Sequence, residues 1–258
     1  MVSRASVISP TLLLDPVGPV RWLPAGQSLD GRRRALLLWL PGGGFTGDLP
    51  PATPTGAALM AQAGADVVVL APPRPPEHPF PKGLSAAFEA LQALAVQAPR
   101  LMRGAPTALF VGGEDAGGNL AAALGLMARD QQAPALAGQV LVLPMLDPRL
   151  GSASMRRAAC GDGRCPYTLG WKAYLGDDAR TDHPYAVPLN ASRLTGLAPT
   201  FILTATGHPL SDESRRYAAA LRAQGSVANE LVLDDLASAA AVQAVHAFLN
   251  DAARRSLG

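Results

Sequence analysis

Charged residues are scarce in this sequence. Only 16% of its 258 residues are Asp, Glu, Lys or Arg, and the formal net charge is +2. A chain so close to neutral lacks the basic surface that attracts nucleic acids and anionic membranes, so we expect neither as a partner. Apolar residues reach 48%, which is enough for a sizeable buried core and excludes global disorder.

Cysteine is also scarce, and Cys160 and Cys165 are the two cysteines of the chain. Two cysteines without neighbouring histidines are too few for a metal cluster, and we expect neither a metal nor a cofactor. A disulfide between the two stays an open alternative. Two reduced thiols in a cytoplasmic protein are the preferred interpretation, because disulfides are rare in that compartment.

Long apolar runs are missing as well. Among the longest are Ala35–Leu40 and Ala65–Ala71, which are far too short to span a bilayer. The N-terminal residues show no convincing signal-peptide cleavage site. The sequence therefore predicts no membrane span and a cytoplasmic location.

Short apolar segments alternate with Ala-rich segments of helical spacing. The apolar segments, predicted to be buried strands, are Ala35–Leu40, Val67–Ala71, Ala108–Val111, Val140–Leu143, Thr200–Thr204 and Glu230–Leu233. The predicted helices are Thr55–Gly64, Gly83–Gln97, Gly117–Gln131, Leu169–Leu175, Asp212–Gln224 and Ala237–Arg255. This alternation implies an α/β fold with a mostly parallel central sheet and helices on both faces. No linker or repeat divides the chain, so residues 1–258 are predicted to form one domain.

Two glycine-rich turns follow predicted strands. The first, Pro41–Phe45, contains three consecutive glycines, which let backbone N–H groups approach a ligand atom without interference from a Cβ. The second, Gly113–Asn119, runs from a strand into a helix, and its small residues are those that a tight strand-turn-helix elbow requires. Asp115 is the central residue of this elbow. No Gly-Lys-Ser/Thr follows, so a Walker-type phosphate loop is excluded.

Three more motifs accompany the two turns along the chain. They are Pro76–Pro81 (Pro-Glu-His-Pro-Phe-Pro), Pro184–Leu189 (Pro-Tyr-Ala-Val-Pro-Leu) and His208–Glu213 (His-Pro-Leu-Ser-Asp-Glu). With these motifs the chain resembles, from about Ala35 onward, the hormone-sensitive-lipase-like (bacterial family IV) esterases of the α/β-hydrolase superfamily. The resemblance implies the three-layer α/β-hydrolase fold, with a reduced cap because few residues precede the first predicted strand.

Other residues stand where that family carries its catalytic triad. The nucleophilic serine of the family aligns with Asp115, its catalytic aspartate aligns with His208, and its catalytic histidine falls near Ser238. The oxyanion-loop histidine of the family is replaced by Pro41. The resemblance therefore implies a degenerate triad on an esterase scaffold.

The oxyanion hole of the family corresponds to the N–H groups of Gly43, Gly44 and Ala116. Serine acylation needs a hydroxyl and a base to take its proton, whereas Asp115 supplies a carboxylate that competes for the same N–H donors. We therefore expect serine esterase activity to be absent. The expected function is that of an inactive pseudo-hydrolase that binds a small molecule or a partner protein.

Two alternatives stay open. In the first, Asp115 is itself the nucleophile, as in the epoxide hydrolases and haloalkane dehalogenases of this superfamily, and His208 is the histidine available to activate water. In the second, the chain is a structural subunit, either a homodimer or paired with an active homologue. Among the acidic residues of the motifs, Glu114 is expected at the surface or beside a cation. Asp212 and Glu213 are expected to stabilise a helix start.

Overall fold

A computed structural model of the chain describes residues 11–15, 17–31, 33–47, 55–158, 165–176 and 181–258. Its eight strands form one sheet in the order β1-β2-β4-β3-β5-β6-β7-β8. The strands are β1 Thr11–Leu14, β2 Gly18–Leu23, β3 Arg34–Leu40, β4 Ala65–Val69, β5 Thr107–Glu114, β6 Gly138–Val142, β7 Thr200–Ala205 and β8 Ala228–Leu233. Strands β3 to β8 are parallel, whereas β2 pairs antiparallel with β1 and β4. The predicted, mostly parallel sheet is confirmed.

Helices cover both faces of the sheet in the part of the chain that the structure describes. They are α1 Thr55–Gln62, α2 Lys82–Leu101, α3 Asp115–Asp130, α4 Ala153–Arg157, α5 Pro166–Leu175, α6 Ser211–Ala223 and α7 Ala239–Leu257. The apolar side chains of α1 and α7 belong to one core cluster, and those of α2, α3, α5 and α6 belong to the other. The three-layer α/β-hydrolase fold is therefore confirmed.

The central strand β3 shows how the sequence builds two cores at once. Leu36, Leu38 and Leu40 lie in the cluster with α2 and α3, whereas Leu37 and Trp39 lie in the cluster with α1 and α7. All five side chains are fully buried. Because successive side chains of a strand point to opposite faces, a strand buried on both faces is apolar throughout. This is why β3 appears in the sequence as a continuous apolar run.

The sequence pattern fails at the antiparallel end of the sheet, where it predicts no strand before Ala35. Strands β1 and β2 lie there, and they are short and only partly buried, with Leu13 largely exposed. Such strands show neither a continuous apolar run nor a clean alternation. Helix α2 also continues past its predicted end and contains Pro99 in its last turn.

Two further predictions concern thiols and membranes. Cys165 is a free, buried thiol, while Cys160 lies outside the described residues. In the described ranges, no helix combines the length and the apolar character needed to cross a bilayer. That residues 1–258 form one domain stays a prediction.

Candidate active site

A sharp bend joins β5 to α3 at Asp115, whose φ of +53° lies in the left-handed region. Glycine is required on either side, because neighbouring backbone approaches closely. A Cβ on Gly113 would lie 2.8 Å from the carbonyl oxygen of Leu40, and a Cβ on Gly117 would lie 2.6 Å from that of Pro41. The bend presents Asp115 at the carboxyl ends of the parallel strands, where open α/β sheets bind ligands.

The Asp115 carboxylate is held by the glycine loop that follows β3. Its Oδ2 accepts hydrogen bonds from the N–H of Gly43 at 3.0 Å and of Gly44 at 2.7 Å. Both glycines have positive φ, which turns their N–H groups toward the elbow. Oδ1 is buried and has no hydrogen-bond partner among the described residues. The third expected donor, Ala116, is buried beside Asp115, and its part in an oxyanion hole stays a prediction.

His208 lies in the same pocket as Asp115, in the loop after β7. Its Nδ1 accepts a hydrogen bond from the N–H of Leu210 at 3.2 Å. Burial lowers the pKa of His208, and the charge of Asp115 opposes that change. When the ring is neutral, its proton lies on Nε2, because Nδ1 accepts the hydrogen bond from Leu210.

Ser238 has a structural contact of its own. It precedes α7 as the N-cap residue, and its Oγ accepts a hydrogen bond from the N–H of Ala241 at 3.3 Å. Leu236, two residues earlier, lines the pocket. Of the three expected triad positions, the structure therefore brings Asp115 and His208 together in one pocket and uses Ser238 to begin a helix.

The pocket has a volume of about 420 Å³ and mostly apolar walls. Its apolar lining comes from Leu59, Val142, Leu143, Leu210 and Leu236. Tyr167 of α5 adds an aromatic ring, and no lysine or arginine belongs to the lining among the described residues. This size and composition suit a small organic ligand that is largely apolar.

Glu114 also lines this pocket, where it is only partly exposed, and it forms no ion pair with a cation among the described residues. Burial raises the pKa of its carboxyl group, the N–H groups of Gly42 and Gly56 lower it, and the charge of Asp115 raises it further. The signal for its position was its place at the end of a buried strand, directly before the elbow residue.

Glu213 is fully buried, not simply placed at a helix start as the sequence predicts. Its Oε2 accepts hydrogen bonds from the N–H of Leu146 at 2.7 Å and of Asp147 at 2.9 Å. Burial raises the pKa of Glu213 to about 7, and the charge of Asp147 adds to this effect, while the charge of Arg216 opposes it. Glu213 thus ties α6 to the loop that follows β6.

Comparison with known proteins identifies the family to which this chain belongs. A profile described as alpha/beta hydrolase fold matches residues 37–239. The carboxylic ester hydrolase LipN of Mycobacterium tuberculosis is 33% identical over 90% of this chain and 62% of its own length. An esterase of Acinetobacter venetianus is 32% identical over 74% of this chain and 63% of its own length. Among solved structures, a bacterial heroin esterase superposes with a TM-score of 0.78 at 30% identity, covering 100% of this chain and 86% of that one.

These findings correct one prediction and confirm another. The prediction of an inactive pseudo-hydrolase is wrong, because the relatives and structural neighbours are esterases and point to a catalytic hydrolase. The aligned part of the chain spans about three fifths of the length of the curated relatives it matches. The resemblance to hormone-sensitive-lipase-like esterases is confirmed, and the chain belongs to the alpha/beta hydrolase fold family.

Proposed function

We propose that this chain is a catalytic hydrolase and that Asp115 is the residue that reacts. The observation that carries the proposal is the asymmetry of the Asp115 carboxylate. Its Oδ2 is fixed by two backbone N–H groups, while Oδ1 has no donor among the described residues. A carboxylate oxygen without a hydrogen-bond donor is less stabilised than its partner oxygen, and this favours its use as the nucleophile once the Asp115 side chain turns it toward the pocket.

The occupied N–H donors decide which electrophile suits this site. Attack on a carboxylic ester would create an oxyanion on the substrate. The N–H groups of Gly43 and Gly44, which would have to stabilise it, already donate hydrogen bonds to Oδ2 of Asp115. Attack on a saturated carbon creates no such oxyanion. The bond from carbon to its leaving group breaks as the bond to Asp115 forms, and the product is an ester of Asp115.

The second step is hydrolysis of the Asp115 ester, and in this step both backbone N–H donors stabilise the developing charge. Water attacks Cγ of the Asp115 ester, and the negative charge that develops falls on Oδ2, where the N–H groups of Gly43 and Gly44 already point. Collapse of this intermediate releases an alcohol and a proton and restores the Asp115 carboxylate. In esterases, the N–H groups of the oxyanion hole stabilise an oxyanion on the substrate. Here the same N–H groups would stabilise an oxyanion on the ester that Asp115 forms.

His208 is assigned a donor role in this scheme. Since its Nδ1 is engaged by the N–H of Leu210, the proton on Nε2 is available for a hydrogen bond to the leaving group. This differs from the sequence-based hypothesis, in which His208 activates water. The apolar walls favour neutral, apolar substrates such as small epoxides or haloalkanes.

Hydrolysis of a carboxylic ester is the second candidate reaction, favoured by the identity to esterases such as LipN. In that reaction Asp115 would take a proton from an attacking water instead of forming a covalent ester. Both candidates need the Asp115 carboxylate. They differ in the origin of the oxygen atom that enters the first product.

The test is a panel of small epoxides, haloalkanes and p-nitrophenyl esters, followed by a single turnover in ¹⁸O-water with enzyme in excess. Nucleophilic attack by Asp115 predicts ¹⁶O in the first product and ¹⁸O in the Asp115 peptide afterwards. Proton abstraction from water predicts ¹⁸O in the product at once. Asp115→Asn should abolish turnover, whereas Asp251→Asn, at an exposed position of α7, should not. Unchanged turnover in Asp115→Asn would refute the proposal.

The cytoplasmic location, the small-molecule ligand and a dimeric state are part of this proposal and stay predictions. Cell fractionation and size-exclusion chromatography with light scattering test the location and the oligomeric state. Recovery of the protein in a secreted or membrane fraction would contradict the expected location.

A further inference from the structure

Two consecutive carboxylates hold the loop that follows β3. Asp115 accepts the N–H groups of Gly43 and Gly44, and the N–H of Gly42, the residue before them, faces the carboxylate of Glu114. We call Gly42–Gly44 the amide loop. Two of its N–H groups are hydrogen-bonded to Asp115, and its first residue, Gly42, lies against both neighbouring acids at the elbow.

Glu114 has a second anchor on another element. Its carboxylate also faces the N–H of Gly56, in the first turn of α1. An anion at this place is stabilised by the unpaired N–H groups and the dipole of the helix. Glu114 thus links the end of β5, the amide loop and the start of α1.

The packing around this link leaves the Glu114 side chain little freedom. A Cβ on Gly56 would lie 2.6 Å from Oε2 of Glu114 and would also collide with the ring of Trp39. A Cβ on Gly42 would lie 3.2 Å from Cγ of Glu114 and 3.0 Å from Cβ of Asp115. Both glycines are therefore needed for the close approach of backbone to the two acids.

We propose that Glu114 is a positioning residue, whose carboxylate fixes the amide loop so that the N–H groups of Gly43 and Gly44 meet Oδ2 of Asp115. The inference rests on the proposed function, because the alignment matters for catalysis only if Asp115 reacts. Burying a carboxylate is costly unless N–H donors compensate for the lost water. Glu114 is partly buried, and the close approach of Gly42 and Gly56 to its side chain is consistent with that role.

The first test measures the amide loop directly and needs no substrate. Amide hydrogen exchange at Gly42–Gly44 is followed by NMR in Glu114→Gln and Glu114→Ala, with Glu89→Gln as the matched control at an exposed position of α2. Loss of the carboxylate that faces the N–H of Gly42 and packs against the loop should speed exchange there by about tenfold in Glu114→Ala and by less in Glu114→Gln. Wild-type exchange in a folded Glu114→Gln and a folded Glu114→Ala would overturn the inference. If Glu114→Ala does not fold, the result for Glu114→Gln decides.

A second variant displaces Glu114 without changing it. Gly56→Ala should raise exchange at Gly43 and Gly44 as the Glu114 variants do, because the added methyl group pushes on the carboxylate of Glu114 as well as on the ring of Trp39. Gly151→Ala is the control, since a Cβ there would meet only the carbonyl oxygen of Arg149, at 3.9 Å, among the described residues. Faster exchange in both alanine variants, or in neither, would contradict the link through Gly56.

Kinetics separate this inference from the proposed function. With a substrate found in the panel, Glu114→Gln should lower kcat about tenfold and leave KM within about twofold, because misaligned donors act on the transition state more than on binding. If the protein turned over no compound of the panel, the proposed function would be refuted, but the exchange result would still be valid. Turnover that depends on Asp115, together with an unchanged amide loop in the Glu114 variants, would sink this inference alone.

Discussion

Replacing the buried Glu213 by glutamine should change how the stability of the protein depends on pH. The pKa of Glu213 is raised from its ordinary value of 4.5 to about 7 in the folded protein, first because it is buried. The folded state therefore binds the proton more tightly than the unfolded chain does. The stabilisation from this proton is fully present below about pH 4.5 and is lost as the pH rises through about 7.

The size of the effect follows from the same two values. At about 1.4 kcal/mol per pH unit, the interval from 4.5 to about 7 corresponds to roughly 3 kcal/mol of unfolding free energy. The carboxylate of Asp147, whose charge faces Glu213, does not titrate in this window. Burial raises the pKa of Asp147, but hydrogen bonds from Arg149 and Arg216 outweigh this and hold that pKa below its usual range. Asp147 therefore stays ionised while Glu213 titrates.

Urea unfolding of wild type and Glu213→Gln between pH 4.5 and 8 measures this effect, because other titrating groups cancel in the difference between the two proteins. The wild type should lose roughly 3 kcal/mol relative to the variant over this range. Glu77→Gln, at an exposed position, should track the wild type. Parallel curves for wild type and Glu213→Gln would refute the reasoning, since they would mean that Glu213 takes up no extra proton on folding.

Two further substitutions test the elbow and its surroundings. Ser238→Ala removes the cap of α7 and should cost about 1 kcal/mol of unfolding free energy, measured by urea unfolding, while leaving turnover unchanged. A large loss of turnover in that variant at full stability would instead place Ser238 in the catalytic machinery. Gly117→Ala should cost at least about 2 kcal/mol, because its Cβ would meet the carbonyl groups of Leu40 and Pro41. A melting temperature equal to that of Gly151→Ala would contradict this close approach.

The parts of the fold that follow from sequence are those buried on both faces. Strand β3 is a continuous run of apolar residues because each of its faces packs against a core. Such a run can be recognised in the sequence without knowing which elements pack against the strand. The bend at Asp115 is readable for a similar reason, since close backbone contacts admit only glycine at Gly113 and Gly117. Positions where a side chain would collide with backbone are therefore visible in the sequence as glycines.

Contacts between segments that lie far apart in the chain cannot be recognised from the sequence in this way. Burial of Glu114 depends on Gly42 and Gly56, which reach it from other elements, and a glutamate in a glycine-rich turn resembles a surface residue. Glu213 lies in the first turn of α6 as the sequence predicts, but its burial was missed for the same reason, because its partners Leu146 and Asp147 lie far away along the chain. Only the fold brings these donors to the two acids.

A carboxylate at the elbow does not by itself indicate a lost activity, because the N–H groups of Gly43 and Gly44 respond to negative charge whatever atom carries it. In a serine hydrolase the charge appears on a substrate oxygen during the reaction. Here it rests on Oδ2 of Asp115 and would return to that atom when water attacks an ester of Asp115. The same pair of donors can therefore serve a different first step, provided that the loop carrying them is held rigidly. The contacts of Gly42 and Gly56 with Glu114 give that rigidity a physical basis.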